Sequence, residues 1–283
     1  MADQYRKLRN TFRYLLGALD GFDESERVGV EAMPELERYV LALLAQLDAT
    51  LRQAVDDFDF NAYTRALIDF CNEDLSAFYF DIRKDRLYCD APGDPARRAY
   101  RTVLDTLFAA LIRYAAPMMV FTAEEVWGSR YPEGGSVHLL EWPDFSQLRQ
   151  SRENGNPVAV GAESLLGPRF RGDDEMMGRW SALRTLREQV TEAIEPLRRD
   201  KVVRSSLEAA VTVPAASVPE GFTDSDLAEL FISAAVTRDE AMRVSKTADA
   251  KCGRCWRLLP EVTEDGALCD RCEDVVAQLD AVS

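Results

Sequence analysis

Four cysteines near the end of the chain form two Cys-x2-Cys pairs, Cys252-Gly-Arg-Cys255 and Cys269-Asp-Arg-Cys272, with 13 residues between the pairs. Each pair can form a knuckle that directs two thiolates at one cation. Four thiolates complete a tetrahedron, so no position remains open for water or a substrate. The spacing therefore predicts one structural Zn²⁺ bound by Cys252, Cys255, Cys269 and Cys272. Iron bound by four thiolates is the alternative, and disulfides are not expected because the N-terminus carries no secretion signal.

Cationic and aromatic side chains accompany the two knuckles: Arg254, Trp256, Arg257 and Arg271. A tail of about 35 residues cannot bury enough surface to fold unaided, and zinc binding, on the order of 10–16 kcal/mol in finger peptides, would supply the missing stability. Two interpretations of the accompanying side chains stay open. They shield the sulfurs and pack the ribbon, or they stack on nucleic acid and pair with it.

A second group of residues able to bind phosphate lies in the first predicted helix, from Tyr5 to Phe22. On a helical wheel the apolar side chains fall on one side, and the neighbouring stripe carries Arg6, Arg9, Asn10 and Arg13. One face can therefore be buried while the stripe offers guanidinium and amide donors. Guanidinium groups match phosphate geometry, which favours a surface that faces phosphate. An ordinary solvated helix face is the alternative.

The composition is that of a soluble globular protein, with 47% hydrophobic and 29% charged residues in a chain of 283. The net charge of −15 argues against a nonspecific nucleic-acid binder, but it permits a local basic site. No run of about 18 uncharged apolar residues exists, so no membrane partner is expected. The N-terminus has no apolar signal region, and a cytoplasmic protein is expected.

Few residues are candidates for catalysis. His138 is the only histidine, which excludes mechanisms that need two histidines, and no partner base or nucleophile lies near it in the sequence. We interpret His138 as a structural residue. Cys71 lies on an apolar helical stripe and is expected to be a buried small hydrophobe. The sequence therefore predicts no catalytic residue.

Most elements that position these residues are helices. Apolar residues at three-four spacing predict long helices that start near Pro34, after Asp94-Pro95 and near Met176, and one from Phe60 to Arg83. Thr122-Ala-Glu-Glu125 is interpreted as a capping box that starts a short helix. Alternating apolar residues predict strands at 207–213, 234–236 and 241–244. Helices of this length joined by short turns indicate an antiparallel bundle.

The predicted fold class is mainly α and has four consecutive parts. An antiparallel helical bundle is predicted over residues 1–145. A linker or long loop covers 146–175, where Gly, Pro and scattered charges show no lasting period. A long helix and a small α+β unit follow over 176–247, and the four-cysteine zinc ribbon closes the chain over 248–283.

Several short motifs occur in a fixed order along nearly the whole chain: YRKLRNTFRYLL at 5–16, DGFD at 20–23, FYFDI at 78–82, KDR at 84–86, FTAEEVW at 121–127, SLEAA at 206–210, and the ribbon with Cys255-Trp256. Through the order and spacing of these motifs, the chain resembles the C-terminal third of bacterial isoleucyl-tRNA synthetases, which are class I aminoacyl-tRNA synthetases. The ribbon distinguishes this family from the similar valyl and leucyl enzymes.

The resemblance implies a fragment of a larger enzyme. The family forms its adenylate with a two-histidine motif and a mobile lysine loop, and it edits in an inserted domain; the chain contains neither part. The full enzyme uses ATP to attach isoleucine to its tRNA in protein biosynthesis, whereas this fragment alone is not expected to be catalytically competent. The implied partners are the anticodon stem-loop of isoleucine tRNA and the missing catalytic half of the same polypeptide, and a monomer is expected.

The resemblance also implies that residues 1–145 form a class I anticodon-binding domain. Such domains read unpaired RNA loops by stacking and by hydrogen bonds to base edges, while arginines bind phosphate. The residues expected to contact tRNA are Arg6, Arg9, Asn10, Arg13, Lys84, Arg86, Arg199, Lys201 and Trp256. The family usually has Gly at the position of Arg204, so Arg204 is not among them, and the segment 146–174 also departs from the family.

Two other functions remain open on the residues alone. The ribbon also resembles the one that closes certain DNA glycosylases, which suggests a DNA-repair module; those enzymes use an N-terminal proline nucleophile, and this chain begins Met-Ala-Asp. A helical scaffold that uses zinc only for stability and binds no RNA is the third hypothesis, and the net charge of −15 is its main support.

Overall fold

A computed structural model describes residues 2–143 and 174–281, and the protein in these ranges is mainly helical, with a small sheet and a C-terminal cysteine cluster. The chain divides into two compact units. Unit 1 is Met1–Arg83 with Pro92–Asp173, and unit 2 is Lys84–Ala91 with Asp174–Ser283. The predicted linker at 146–175 lies outside the described residues except for its last two positions, which begin a helix.

Unit 1 contains helices α1 (Ala2–Ala18), α2 (Glu35–Asp56), α3 (Phe60–Asp69), α5 (Pro95–Ala115) and α6 (Val120–Arg130). A π-helical segment (Phe70–Tyr79) follows α3 directly and leads into α4 (Phe80–Cys89), whose first residues also belong to unit 1. The predicted helix from Phe60 to Arg83 is thus confirmed, although it continues to Cys89. Leu87 and Cys89 are both buried, so the apolar face extends past Arg83, where the sequence predicts the end of the helix.

Helix α5 lies at the centre of unit 1. Asp94 caps its N-terminus by accepting hydrogen bonds from the backbone N–H groups of Ala96 and Arg97, and Pro95 occupies the first turn, where its missing N–H costs nothing. Every side chain from Ala99 to Ile112 is buried. A helix that is buried on all sides must have neighbours all round, and α1, α2 and α6 pack against it.

Helix α1 buries one face and exposes the other, as the sequence predicts. Leu8, Phe12 and Leu15 are at most 4% exposed, whereas the arginine stripe faces solvent. The chain leaves the helix at Asp20-Gly21, where Gly21 adopts a φ of 62° that favours glycine.

The predicted capping box at Thr122 is wrong. Helix α6 begins at Val120, and its N-cap residue Met119 makes no side-chain capping hydrogen bond. The Thr122 hydroxyl instead lies 2.9 Å from the hydroxyl of Tyr5 in α1. A tertiary hydrogen bond therefore replaces the local cap, and no local pattern could distinguish the two.

A buried ion pair connects α2 to α4 within unit 1. Glu37 is fully buried and accepts two hydrogen bonds from Arg83, from Nε at 2.7 Å and from Nη2 at 2.8 Å. The Tyr79 hydroxyl adds a third contact at 3.4 Å. Such a pair costs desolvation to form, but removing one partner leaves the other charge buried and uncompensated.

We therefore expect Glu37→Gln to lower the free energy of unfolding of unit 1 by about 3–5 kcal/mol, because the Arg83 guanidinium loses its counter-charge. Urea unfolding followed by circular dichroism measures the change. Asp3→Asn is the control, since the Asp3–Arg6 pair at 3.9 Å is more than 70% exposed on both sides and such pairs contribute under about 1 kcal/mol. Equal effects of the two substitutions would contradict the role assigned to Glu37.

Unit 2 contains a three-stranded sheet in the order β2-β1-β3, formed by Ala209–Pro214 (β1), Ala235–Asp239 (β2) and Arg243–Lys246 (β3). Strand β1 pairs in parallel with β2 and antiparallel with β3. Helices α7 (Asp174–Arg199) and α8 (Asp224–Phe231) pack against the sheet. The three predicted strands are confirmed with shifts of one or more residues at their ends.

Two further short strands and a helix complete unit 2. Strands β4 (Ala250–Lys251) and β5 (Leu258–Leu259) form an antiparallel pair, and α9 runs from Asp270 to Asp280. Across residues 2–143 and 174–281, no helix has both the length and the apolar character needed to cross a bilayer.

Candidate metal centre and nucleic-acid interface

The four predicted metal ligands meet in one place. The β4–β5 pair carries the first knuckle between its strands, and Cys269 is the residue before α9, so that the second knuckle occupies the first turn of that helix. The four Sγ atoms all lie within 4.8 Å of one another, and those of Cys255 and Cys269 are 3.8 Å apart. A tetrahedral ion with bonds of about 2.3 Å to sulfur needs sulfur–sulfur distances of about 3.8 Å. The donor set therefore fits one metal ion.

The surroundings of the sulfurs favour a bound cation. Burial disfavours the Cys252 thiolate, but nearby backbone N–H groups, including that of Cys269 at 3.4 Å from Sγ, outweigh burial and lower the pKa of Cys252 to about 6. Burial raises the pKa of the thiols of Cys255, Cys269 and Cys272. Four buried thiolates are stable only with a positive charge among them, which a metal ion supplies.

The first knuckle approaches the loop that precedes the second knuckle so closely that one position requires glycine. A Cβ atom built on Gly253 would lie 2.4 Å from the backbone oxygen of Gly266, which is far inside van der Waals contact. We expect Gly253→Ala to weaken metal binding about fivefold or more, because overpacking against backbone costs about 1–3 kcal/mol. A Co²⁺ titration followed by thiolate absorption measures the affinity. Gly178→Ala, in open space on α7, is the control and should leave it unchanged.

Two of the arginines beside the knuckles bind the end of helix α4. Arg254 donates hydrogen bonds to the backbone oxygens of Cys89 and Tyr88, and its Nη1 lies 3.7 Å from the Sγ of Cys272. Arg271 pairs with Asp85 at 2.6 Å and with Asp90 at 3.0 Å. Of the two interpretations left open by the sequence, packing of the ribbon describes these two arginines.

Cys89 is a member of this cluster that sequence reasoning missed. Its side chain is 7% exposed and packs in one buried group with Val262 and the four cysteines of the two knuckles. Cys89 precedes the first knuckle by more than 160 residues in the sequence, so no spacing rule connects them. No local pattern in the sequence indicates that Cys89 packs against the knuckles.

Trp256 follows the first knuckle directly and is exposed to solvent. Its side chain is 61% exposed and its φ is 66°, a left-handed conformation that is rare for bulky residues. The Nζ of Lys251 lies 5.2 Å from the ring centroid. Backbone strain of this kind costs of order 1–3 kcal/mol and is concentrated at functional sites in proteins.

The arginine stripe of α1 borders an open groove in unit 1 with a volume of about 860 Å³. The predicted residues Arg6, Arg9, Asn10 and Arg13 are all exposed and all line this groove. Arg6 has one long ion pair, at 3.9 Å with Asp3. Among the residues that the structure describes, no hydrogen bond or ion pair engages the side chains of the other three. The stripe is therefore available to an anionic ligand.

The other predicted cations have different surroundings. Lys84 is exposed, whereas Arg86 is partly buried and pairs with Glu229 at 2.8 Å and with Asp90 at 3.3 Å. These carboxylates already compensate the charge of Arg86. Its contact with RNA, like that of Lys84, stays a prediction.

Arg199 and Lys201 lie at the exposed end of α7. Lys201 has a φ of 58°, so the left-handed residue that ends this helix is a lysine. Arg204, where the resembling family usually has Gly, is not among the described residues with positive φ, and its backbone N–H donates to Glu208 at 3.2 Å. The turn therefore accepts Arg204 without strain.

His138 and Cys71 have the surroundings expected of structural residues. The Nε2 atom of His138 lies 3.1 Å from the backbone oxygen of Val120, at the start of α6. Cys71 is 1% exposed, and burial raises the pKa of its thiol to about 12. A thiol of this kind is not a nucleophile at neutral pH.

In a comparison with protein-family models, residues 37–213 match the anticodon-binding domain of tRNA ligase. The match covers more than half of the chain. The chain belongs to this anticodon-binding family. The matched range includes α2 to α6 of unit 1 and α7 and most of β1 of unit 2, while α1 and the cysteine ribbon lie outside it.

Relatives of this anticodon-binding chain are bacterial isoleucine–tRNA ligases. It is 52% identical to the enzyme of Zymomonas mobilis over 98% of its own length, 44% identical to that of Gluconobacter oxydans over 96%, and 41% identical to that of Agrobacterium fabrum over 93%. The predicted resemblance to isoleucyl-tRNA synthetases is confirmed. The chain spans only 27–28% of the length of these relatives.

Proposed function

We propose that this chain is the tRNA anticodon-recognition region of an isoleucyl-tRNA synthetase, from the C-terminal part of that enzyme. The family match over residues 37–213 carries the proposal, and similarity to isoleucine–tRNA ligases along almost the whole chain supports it. ATP-dependent attachment of isoleucine, and its editing, would reside in domains elsewhere in the polypeptide. The relatives are more than three times as long as this chain, so they have room for such domains. A monomeric cytoplasmic protein fits this role.

In unit 1, the proposed binding surface is the groove beside α1. We assign the unit to the antiparallel helical bundle of class I synthetases, with its boundary near residue 145. The guanidinium groups of Arg6, Arg9 and Arg13 would bind phosphates of the anticodon stem-loop, and Asn10 offers an amide to a base edge. Their exposure supports this assignment, as does the fact that, within the described residues, Asp3 is the only carboxylate that forms an ion pair with any of these arginines, although Glu125 also lines the groove.

In unit 2, the proposed binding surface contains Trp256, with Arg199 and Lys201 as further phosphate contacts. An exposed indole can stack on an unpaired base, which is worth about 1–3 kcal/mol per base. The strained backbone of Trp256 supports this role, because a ring that is largely exposed gains little from packing against the ribbon to offset the strain. We assign the ion of the ribbon as one structural Zn²⁺, since four thiolates in a closed tetrahedron are the donor set that zinc prefers in proteins.

The proposal is tested by titrating the chain with the anticodon stem-loop of isoleucine tRNA and with the stem-loop of an unrelated tRNA. We expect the cognate RNA to bind more tightly, because unpaired bases are read as well as phosphates. The logarithm of the association constant should fall with the logarithm of salt concentration, with a slope of about −0.7 to −0.9 per phosphate contact. Equal affinity for both stem-loops contradicts anticodon recognition, and no binding to either one favours a scaffold.

A further inference from the structure

The end of helix α4 is held by both metal-binding knuckles of unit 2. Arg254 and Arg271 are the third residues of the two knuckles, so they occupy equivalent positions. Arg254 donates to the backbone oxygens of Tyr88 and Cys89. Arg271 forms a two-pronged pair with Asp85, from Nη1 at 2.6 Å and from Nη2 at 3.0 Å.

The chemistry of these contacts suits the end of a helix. The last carbonyl oxygens of a helix have no partner inside it and carry partial negative charge, and the Arg254 guanidinium satisfies two of them. Asp90, just after the helix, is 3% exposed on its side chain and accepts from Arg271 and from Arg86. A buried carboxylate needs such partners, so residues 84–91 depend on cations that the ribbon supplies.

The same helix end presents exposed groups that RNA-binding proteins use. Tyr88 is 66% exposed, and Lys84 is also exposed. Arg254, which contacts the backbone of Tyr88, lies two residues before Trp256. An aromatic ring and a cation of α4 thus belong to the same unit as the exposed indole, and stacking platforms combine such groups.

We propose that Arg254 and Arg271 are positioning residues: through them the metal-bound knuckles hold residues 84–91 in place, so that Lys84 and Tyr88 join Trp256 in binding unpaired RNA. The RNA part of this inference rests on the proposed function. The structural part, in which the knuckles hold residues 84–91, is independent of it. The two parts are therefore measured separately.

The first measurement is amide hydrogen exchange of the whole chain, with Zn²⁺ bound and after removal by a chelator. Removal should accelerate exchange in residues 84–91 at least about tenfold, together with exchange in the ribbon, because the arginines lose their fixed backbone. Unchanged exchange in residues 84–91 after removal overturns the proposal, whatever the chain does with RNA.

The second measurement uses Asp85→Asn, which removes the charge that pairs with Arg271 from the helix side and leaves all four sulfurs in place. Co²⁺ absorption should show an intact four-thiolate site, while residues 84–91 exchange faster. Arg257→Ala is the control, since in the described part of the chain its side chain has no hydrogen bond or ion pair with α4. If Asp85→Asn leaves exchange in residues 84–91 at the wild-type rate, the proposed role of Arg271 is wrong.

RNA affinity separates positioning from simple electrostatics. Asp85→Asn removes a negative charge and frees the Arg271 guanidinium from one of its two carboxylates, since Asp90 still pairs with it, and both changes alone would strengthen RNA binding. If the helix end must be held in place, the affinity for the cognate stem-loop instead falls about fivefold or more, a typical size for coupling between sites. Stronger or unchanged binding overturns the RNA part of the proposal. If residues 84–91 of Asp85→Asn nevertheless exchange faster, the structural part of the proposal is supported. If the wild-type chain does not bind the cognate stem-loop, the proposed function itself is wrong.

Discussion

Removal of the metal ion should unfold the C-terminal ribbon and leave the helices of unit 1 folded. The ribbon buries few apolar side chains besides its cysteines, chiefly Leu258, Val262 and Val275. Metal binding contributes on the order of 10–16 kcal/mol in small zinc domains, which is more than such a core supplies. Chelation or Cys252→Ser should therefore abolish protection of residues 250–280 against proteolysis, while ellipticity at helical wavelengths falls only slightly.

Cys89→Ser is the matched control for Cys252→Ser. Cys89 is buried in the same cluster, but four other thiols already complete the tetrahedron. The Co²⁺ complex of Cys89→Ser should keep the absorption of a four-thiolate site, whereas that of Cys252→Ser should lose it. A loss of helicity throughout the chain on chelation would show that unit 1 does not fold independently of the ribbon.

Loss of the α1 guanidinium groups should weaken binding of the cognate stem-loop more than any other pair of charge removals in unit 1. Arg9 and Arg13 line the groove and are exposed. If each binds one phosphate, the double variant Arg9→Ala, Arg13→Ala reduces the magnitude of the salt slope by about 1.4–1.8. At low salt we expect the affinity to fall by about two to four orders of magnitude, since hydrogen bonds to charged groups contribute about 1.5–3 kcal/mol each.

The double variant Lys7→Ala, Arg65→Ala is the control for charge alone. It also removes two positive charges, from exposed residues of α1 and α3 that do not line the groove. Its effect on affinity should be small and should disappear at high salt, because distant charges are screened within about 10 Å at 0.1 M salt. Similar losses for both double variants would show that the groove is not the binding surface.

The helices and strands were predictable because their causes are local. The three-four spacing of apolar residues in α1, α2 and α5 follows from the helical repeat, and the alternation in β1 follows from the pleat of a half-buried strand. The convergence of the four cysteines was predictable for a similar reason, since each knuckle needs two cysteines at fixed separation. The spacing defined both pairs, and the structure shows that the pairs converge.

The failures concern contacts between distant parts of the chain. Thr122 has the local pattern of a cap, yet its hydroxyl contacts Tyr5, 117 positions away. The helix expected to end at Arg83 continues to Cys89, because the ribbon packs against Cys89 and supplies an arginine for the final carbonyl oxygens. A local pattern contains no information on partners that lie more than 100 residues away.

The sequence by itself determined the mainly helical class, the four thiolates and the stripe of cations on α1, since each depends on residue type and short-range spacing. Only the tertiary structure decided which cations are available. Arg9 and Arg13 remain exposed, whereas Arg86, Arg254 and Arg271 are held by carboxylates and carbonyl oxygens. The physical reason is that the guanidinium group has the geometry to bind either a protein carboxylate or an RNA phosphate, and folding determines which of them lies within reach.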